Sequence, residues 1–181
     1  MEGRALSRPY KLGTPQRASL QEPPMDDIPS GRQHPVHQPA QERGNTPIIV
    51  FVTINTKRRK RIFADPEAHQ VIRAAWLVAT QWSVGRYVIM PDHIHLFCAP
   101  HALVPTTLQD WIGFWKSEAA RHWPRREDAP IWQRHLWDTQ LRRGENYDEK
   151  WDYVINNPVR AGLVAKPEDW PYQGELNVLR W

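Results

Sequence analysis

The stretch GRYVIMPDHIHLFCA, residues 85–99, decides how this chain is expected to fold. Two apolar runs flank the Pro91-Asp92 corner, a pattern typical of two antiparallel strands joined by a tight connection. Because alternate residues of a strand share a face, His93 and His95 project side by side, and the residues between and after them point into the opposite layer. Buried polar side chains need partners, so the pair predicts a ligand, a metal ion or a hydrogen-bond network.

Strand and helix periods continue on both sides of this hairpin. Residues 47–56 predict a strand, and residues 65–82 predict a helix with Asp65 as its N-cap and Pro66 at its first position. The further predicted elements are a second long helix over 105–123, one or two short strands over 131–142 and a helix over 145–156 that Pro158 stops. This order favours an α+β fold in which two helices cover one antiparallel sheet, of the split βαβ or ferredoxin-like kind, with an extra C-terminal helix.

The composition indicates one domain with appendages. Residues 1–46 are rich in Pro, Gln, Arg, Gly and Ser and show neither period, so they are expected to form a disordered tail. Residues 47–172 form the predicted domain, and residues 173–181 are expected to be a short C-terminal tail. A single cysteine, Cys98, excludes an internal disulfide, and no apolar run reaches the roughly 20 residues that a bilayer requires. The expected location is the cytoplasm.

The chain is basic, with a formal net charge of +4 and a pI of about 9.4, which permits a nucleic-acid partner without requiring one. Its ten tryptophans lie between Trp76 and Trp181, interleaved with Arg and Lys. Such aromatic residues can stack on bases, but for any single tryptophan a place in the core is the stronger expectation.

A His-x-His pair on a strand can chelate one divalent cation, and it can equally be a hydrogen-bonded pair in the core. A histidine-triad hydrolase would need a third histidine where Phe97 stands. A metallo-β-lactamase-like hydrolase would need Asp and His where Phe97 and Cys98 stand. Both classes are therefore disfavoured.

A helix over residues 145–157 would bring Tyr153 and Asn157 onto one face, one turn apart. A tyrosine and an amide in this arrangement can face a metal together, the amide oxygen as ligand and the phenol as nucleophile. The alternative is that Tyr153 is a core aromatic and Asn157 a residue at the helix C-terminus before Pro158.

Four segments in order then resemble one family: YVIMPDHIHLF, WQRHLWD, YDEKWDYVINNPVRAGLV and PEDWPY, between Ile48 and Tyr172. They resemble the single-tyrosine HUH transposases, most closely the REP-associated tyrosine transposases. One position departs from the family pattern: relatives often carry a histidine after the Trp-Asp or Trp-Glu pair, where this chain has Thr139.

The resemblance implies a site and a reaction. His93 and His95 match the metal ligands, Asn157 the polar residue that completes the metal site, and Tyr153 the catalytic nucleophile. The implied enzyme uses Mg²⁺ or Mn²⁺ to cleave and rejoin single-stranded DNA through a 5′-phosphotyrosine, without a nucleotide cofactor. The implied partner is a REP-like DNA hairpin, and the protein is expected to be a monomer or a homodimer.

Cations are expected to bind the DNA phosphates, largely without regard to base sequence. The first candidates are the run after the first strand, Lys57, Arg58, Arg59, Lys60 and Arg61. Weaker candidates are Arg121, Arg125, Arg126, Arg134, Arg142 and Arg143.

Two other functions stay open from the sequence. The chain could be a domesticated protein that binds hairpin DNA without cutting it, or a metal-dependent phosphodiesterase acting on nucleotides for which Tyr153 is dispensable. The presence of all four site residues favours the transposase over a pure binding protein.

Overall fold

The computed structural model describes residues 48–141 and 147–180, so the predicted tail at residues 1–46 lies outside the described residues. A five-stranded antiparallel sheet organises this part of the chain, in the order β4-β1-β3-β2-β5. The strands are β1 (Val50–Thr56), β2 (Trp82–Ile89), β3 (His93–Pro100), β4 (Trp132–Gln140) and β5 (Gln173–Glu175). The helices are α1 (Pro66–Val78), α2 (Leu108–Arg121), α3 (Tyr147–Ile155) and α4 (Asn157–Arg160).

The chain order β1-α1-β2-β3-α2-β4 with the sheet order β4-β1-β3-β2 is the split βαβ arrangement, which confirms the predicted fold class. Of the predicted segment 131–142, the structure describes residues 131–141, and these contain one strand of nine residues, β4. The strand β5 was not predicted: it lies in the segment expected to be a tail, and it pairs with β2 through Val88 opposite Gln173.

The first helix begins as predicted and ends earlier. The Asp65 carboxylate accepts hydrogen bonds from the backbone N–H groups of Glu67 and Ala68 at 3.1 and 3.0 Å, which caps α1. The helix ends at Val78, so the prediction of a helix through Trp82 is wrong. Trp82 starts β2 because its indole is buried there, where it stacks on Trp111 and its N–H donates to a backbone carbonyl.

The sheet has two different faces. One carries Val52, Ile94 and Leu96 and packs against α1 and α2; we call it the α1/α2 face. The other carries Thr53, His93 and His95 and is called the histidine face. Side chains opposite each other in an antiparallel pair share a face, so the register of Thr53 with His95 places both on this side.

The α1/α2 face holds the main core. Buried tryptophans of this layer contact one another edge to face, with Trp76 and Trp115 ring centroids 5.9 Å apart. The expectation that a given tryptophan lies in the core is confirmed for Trp76, Trp82, Trp111, Trp115, Trp123 and Trp170. None of the helices within residues 48–141 and 147–180 is both long and apolar enough to cross a membrane.

A second, smaller core joins α3 to the histidine face. The Phe97 ring contacts Tyr147 edge to face at 4.8 Å and lies 6.3 Å from the Trp151 ring. Arg86 of β2 pairs with Asp148 at 2.7 Å and lies over the Tyr147 ring. These contacts place α3 across the same face that carries the two histidines.

Candidate metal and tyrosine site

The two histidines of β3 point at each other through their Nε2 atoms, which are 3.1 Å apart. Two imidazole nitrogens bound to one ion at about 2.1 Å, with an angle between 90° and 109°, would be separated by about 3.0–3.4 Å. The spacing of the His93 and His95 Nε2 atoms therefore suits a single cation between them.

The other ring nitrogens are held by side chains of the same face. His93 Nδ1 lies 2.7 Å from Asp92 Oδ1, and His95 Nδ1 lies 3.0 Å from the Thr53 hydroxyl. Burial is the largest single influence on Asp92 and opposes its ionisation, but the hydrogen bond and charge of His93 together with the charge of Arg59 outweigh it and lower the pKa of this carboxyl below its ordinary value. An ionised carboxylate only accepts, so it holds the proton of His93 on Nδ1 and leaves Nε2 free to bind a metal.

His95 is buried in a positive environment. Burial, followed by the charges of His93, Lys150, Arg59 and Arg160, holds the pKa of His95 well below its ordinary value of 6.5. The imidazole is consequently neutral at neutral pH, which is the form that binds metals. The same cations make this part of the face attractive to phosphate.

Lys150 connects Tyr153 to the aromatic ring that stacks on His95. The Lys150 ammonium lies 5.7 Å from the Tyr153 ring and 5.0 Å from the Phe51 ring, and Phe51 stacks on His95 at 5.6 Å. The Arg160 guanidinium covers the Tyr153 ring at 3.8 Å. Tyr153 is 43% exposed, so its ring is accessible on the histidine side of α3.

The sequence analysis predicted that Tyr153 and Asn157 lie on one continuous helix, and this prediction is wrong. The helix α3 ends at Ile155, and Asn157 begins the short helix α4, which has Pro158 in its first turn. Proline has no N–H to donate to the preceding turn, so α3 cannot continue through it. The amide oxygen of Asn157 accepts a hydrogen bond from Arg160, which also donates to the Tyr153 carbonyl at 2.9 Å.

Other protein ligands are scarce near the pair. Within residues 48–141 and 147–180, no three His, Cys, Asp or Glu side chains gather where they could hold a metal ion. A metal site built on His93 and His95 would thus need the Asn157 amide or groups from outside the protein to complete it.

The predicted cationic run divides into two groups. Lys60 donates to the Asp128 carbonyl at 2.9 Å, and Arg59 forms an ion pair with Asp92 at 2.8 Å, so both have partners within the fold. The other three cations of the run are exposed, and among the described residues no hydrogen bond or ion pair of their side chains is seen. They are Lys57, Arg58 and Arg61.

The weaker cation candidates also divide. Arg125 is held by Asp65 and Asp128 at 3.3 and 3.0 Å, and Arg121 pairs with Glu118 on its own helix. Arg126 and Arg134 are exposed, and so is Arg121 despite its ion pair, whereas Arg142 and Arg143 lie outside the described residues.

The structure adds a residue to the histidine face that sequence reasoning did not single out. Trp137 of β4 lies opposite Thr53, which itself lies opposite His95, and its side chain is 41% exposed. Thr139, the position that departs from the family pattern, lies opposite Phe51 on the same face. The alternation of β4 could have suggested this placement once the register with β1 was known.

Comparison with known proteins agrees with the motifs. No protein-family model matches the chain. The REP-associated tyrosine transposase of Escherichia coli (strain K12) is 24% identical over 125 residues, which cover 67% of this chain and 73% of the relative. The "Putative REP-associated tyrosine transposase" of Haemophilus influenzae is 30% identical over 98 residues, which cover 46% of this chain and about half, 53%, of that relative.

A solved structure shows the same fold. The REP-associated tyrosine transposase bound to a REP hairpin superposes with a TM-score of 0.58 at 22% identity, covering 69% of this chain and 74% of that one. The class defined by sheet and helices is thus the α+β, split βαβ class. Within it, the chain is similar to REP-associated tyrosine transposases, which confirms the resemblance seen in its sequence.

Proposed function

We propose that this protein is a metal-dependent tyrosine transposase that cleaves and rejoins single-stranded DNA next to a REP-like hairpin. The observation that carries the proposal is the shared location of three features on one sheet face. These features are the facing Nε2 atoms of His93 and His95, the exposed Tyr153 ring on the helix across that face, and the cations around both.

In the proposed reaction, the Tyr153 oxygen forms a bond to the scissile phosphorus, and the bond from phosphorus to the 3′ oxygen breaks. The phenol proton ends on the released 3′-hydroxyl, and the phosphate stays on the 5′ side as a phosphotyrosine. Attack by a 3′-hydroxyl reverses these steps, so the bond energy is retained and no nucleotide cofactor is required. Lys150 and Arg160 flank the Tyr153 ring and would offset the charge that builds on the phenol and phosphate oxygens.

The donor set fits a divalent ion. His93, His95 and Asn157 would hold Mg²⁺ or Mn²⁺, and imidazole ligands favour Mn²⁺ of the two. The bound ion would supply Lewis-acid polarisation of the phosphate oxygens. The chain itself orients the imidazoles through Asp92 and Thr53.

Phosphate contacts in this proposal come chiefly from the exposed cations Lys57, Arg58 and Arg61, at the end of β1 that lies next to His93. Such contacts are salt-dependent and position the DNA without reading its bases. Hairpin DNA is proposed as the partner because the solved relative with the same fold is bound to a REP hairpin.

The test is to incubate the protein with end-labelled single-stranded hairpin DNA and Mn²⁺ or Mg²⁺ and to separate the products on a denaturing gel. We expect a slow-migrating covalent adduct in the unaltered protein and none in Tyr153→Phe, which keeps the ring and loses the nucleophile. Tyr147→Phe, on the same helix, is the matched control and should still form the adduct.

Two other results would contradict the proposal in different ways. Tight hairpin binding without adduct or cleavage under either metal would indicate a domesticated binding protein. Cleavage that persists in Tyr153→Phe would indicate a phosphodiesterase in which a water molecule, rather than the tyrosine, attacks the phosphate.

A further inference from the structure

Arg59 adopts an unusual backbone conformation, and its exposed side chain contacts two residues beside the histidine pair. Arg58 and Arg59 have φ angles of +59° and +55°, in the left-handed region that residues with a Cβ seldom occupy. Two successive residues of this kind need a compensating set of contacts. The Arg59 side chain supplies it, since Nη1 donates to Asn55 Oδ1 at 2.5 Å and Nε forms an ion pair with Asp92 Oδ2 at 2.8 Å.

The Asp92 carboxylate connects this arginine to the histidine pair. Its Oδ2 atom forms an ion pair with Arg59, and its Oδ1 atom accepts from Nδ1 of His93 at 2.7 Å. Asn55 lies directly opposite His93 in the sheet, so the second donor of Arg59 is also anchored beside that histidine. The arginine thus fixes both the position and the plane of the carboxylate.

We propose that Arg59 is a positioning residue that acts through Asp92 to keep the proton of His93 on Nδ1, so that Nε2 faces His95 with a free lone pair. This inference rests on the proposed function, and it gives Arg59 a role other than the phosphate contact expected from the sequence. An Asp92 carboxylate held by a guanidinium on one oxygen can only accept on the other, and that leaves His93 one tautomer.

The substitution Asp92→Asn separates this role from a structural one. Arg59 has donors and no acceptors, so it will take the amide oxygen of the new side chain. The amide NH₂ then faces Nδ1 of His93, and the His93 proton must move to Nε2. This is the tautomer that cannot bind a metal through Nε2.

Removing the arginine as well should undo the effect. In Asp92→Asn with Arg59→Ala, no guanidinium claims the amide oxygen, so the amide can turn that oxygen toward His93 and restore the Nδ1–H tautomer. A purely structural arginine would give the opposite result, since two lesions would then be worse than one.

The experiment uses the full chain with ¹⁵N-labelled histidine, and it reads the His93 tautomer by NMR without metal and Mn²⁺ affinity by electron paramagnetic resonance. We expect Asp92→Asn to shift the proton to Nε2 and to weaken Mn²⁺ binding about 10–100-fold. We expect the double variant to recover the Nδ1–H form and at least about fivefold of the lost affinity. Arg61→Ala, an exposed cation of the same run, should leave both readouts unchanged while weakening hairpin binding. Thermal melts establish that each variant is folded.

The inference would be overturned if His93 had the same tautomer in Asp92→Asn and in the double variant. It would also be overturned if His93 carried its proton on Nε2 in the unaltered protein. Failure of the unaltered protein to bind Mn²⁺ would instead overturn the proposed metal site. The tautomer measurement, made without metal, would still decide the role of Arg59 in that case.

Discussion

The two faces of the sheet use neighbouring residues of the same strand for different purposes. On β3, Ile94 and Leu96 are fully buried against α1 and α2, whereas His93 and His95 alternate with them in sequence and form a polar network on the other side. The α1/α2 face is closed by two long helices. The histidine face is covered in part by α3, and side chains such as Tyr153 stay accessible there. Because successive side chains of a strand point to opposite faces, one strand contributes both to the core and to the polar candidate site.

Substitution on the α1/α2 face should have the largest effect on stability. Leu96→Ala removes a fully buried side chain from the centre of this layer, and we expect the free energy of unfolding to fall by about 2–5 kcal/mol. Thr53→Ala, on the histidine face, should cost about 1 kcal/mol, the worth of one hydrogen bond. Denaturant titrations of both variants measure the difference. Equal losses in the free energy of unfolding would contradict the inference that the α1/α2 face provides most of the stability.

Lys116 is a buried charged residue of α2 in the otherwise apolar layer on the α1/α2 face, and its replacement tests the comparison between the two faces. Its ammonium is buried, donates to the Gln133 carbonyl at 3.2 Å and has its pKa lowered by burial from 10.5 to about 8. A shift of this size corresponds to about 3 kcal/mol, from which the lost hydrogen bond subtracts about 1 kcal/mol. Lys116→Met should therefore stabilise the protein at pH 7 by about 2 kcal/mol.

The sign of the pH dependence checks the cause. Between pH 8 and 10.5 the unfolded state binds more protons at Lys116 than the folded state, so the stability of the unaltered protein rises with pH. The advantage of Lys116→Met should shrink over this window in denaturant titrations. Lys166→Met, at an exposed position, is the control and should show no such trend relative to the unaltered chain.

On the histidine face, Trp137 should matter for DNA and little for folding. If a base stacks on its exposed ring next to Thr53, Trp137→Ala should weaken binding of single-stranded hairpin DNA by about 1–3 kcal/mol, and Trp137→Phe should retain most of the affinity. Fluorescence anisotropy at fixed salt measures both. Unchanged affinity in the alanine variant would place the DNA elsewhere.

The smallest expected effect is a pH dependence from His95. Its pKa is well below 6.5 in the folded state, so acidification below pH 6.5 places the proton on the unfolded chain first and lowers stability. His95→Gln should lose this component, which appears as the difference between the two stability curves as the pH falls. His101→Gln, at the far end of β3 and exposed, should keep it.

The sequence predicted the features that depend on local periodicity. Alternation around residues 85–99 identified two strands and their faces, and Asp65 marked the start of α1. Tertiary contacts decided the rest. The strand β5 has the sequence QGE, which has no strand signal of its own and becomes a strand by pairing with β2.

The candidate site likewise combines residues that the sequence identifies with contacts that only the fold creates. His93, His95 and Tyr153 stood out because of spacing and resemblance, and the partner of His93, Asp92, is its neighbour in sequence. Other contacts of the site are distant in sequence, since His95 contacts the Thr53 hydroxyl, 42 residues away. Phe51 and Lys150, which lie between His95 and Tyr153, are also joined only by the fold. No local pattern encodes such pairs.

The hydrogen bond between Arg160 and Asn157 has a thermodynamic consequence for metal titrations. A guanidinium and a divalent ion repel each other at one amide oxygen, so we expect a metal that takes Asn157 as its third ligand to displace Arg160. Binding is then an exchange reaction, and the measured dissociation constant equals the intrinsic one divided by the fraction of molecules in which the amide is released. The arginine that loses the amide becomes available to the phosphate, and cation and substrate would reinforce each other's binding through a single side chain.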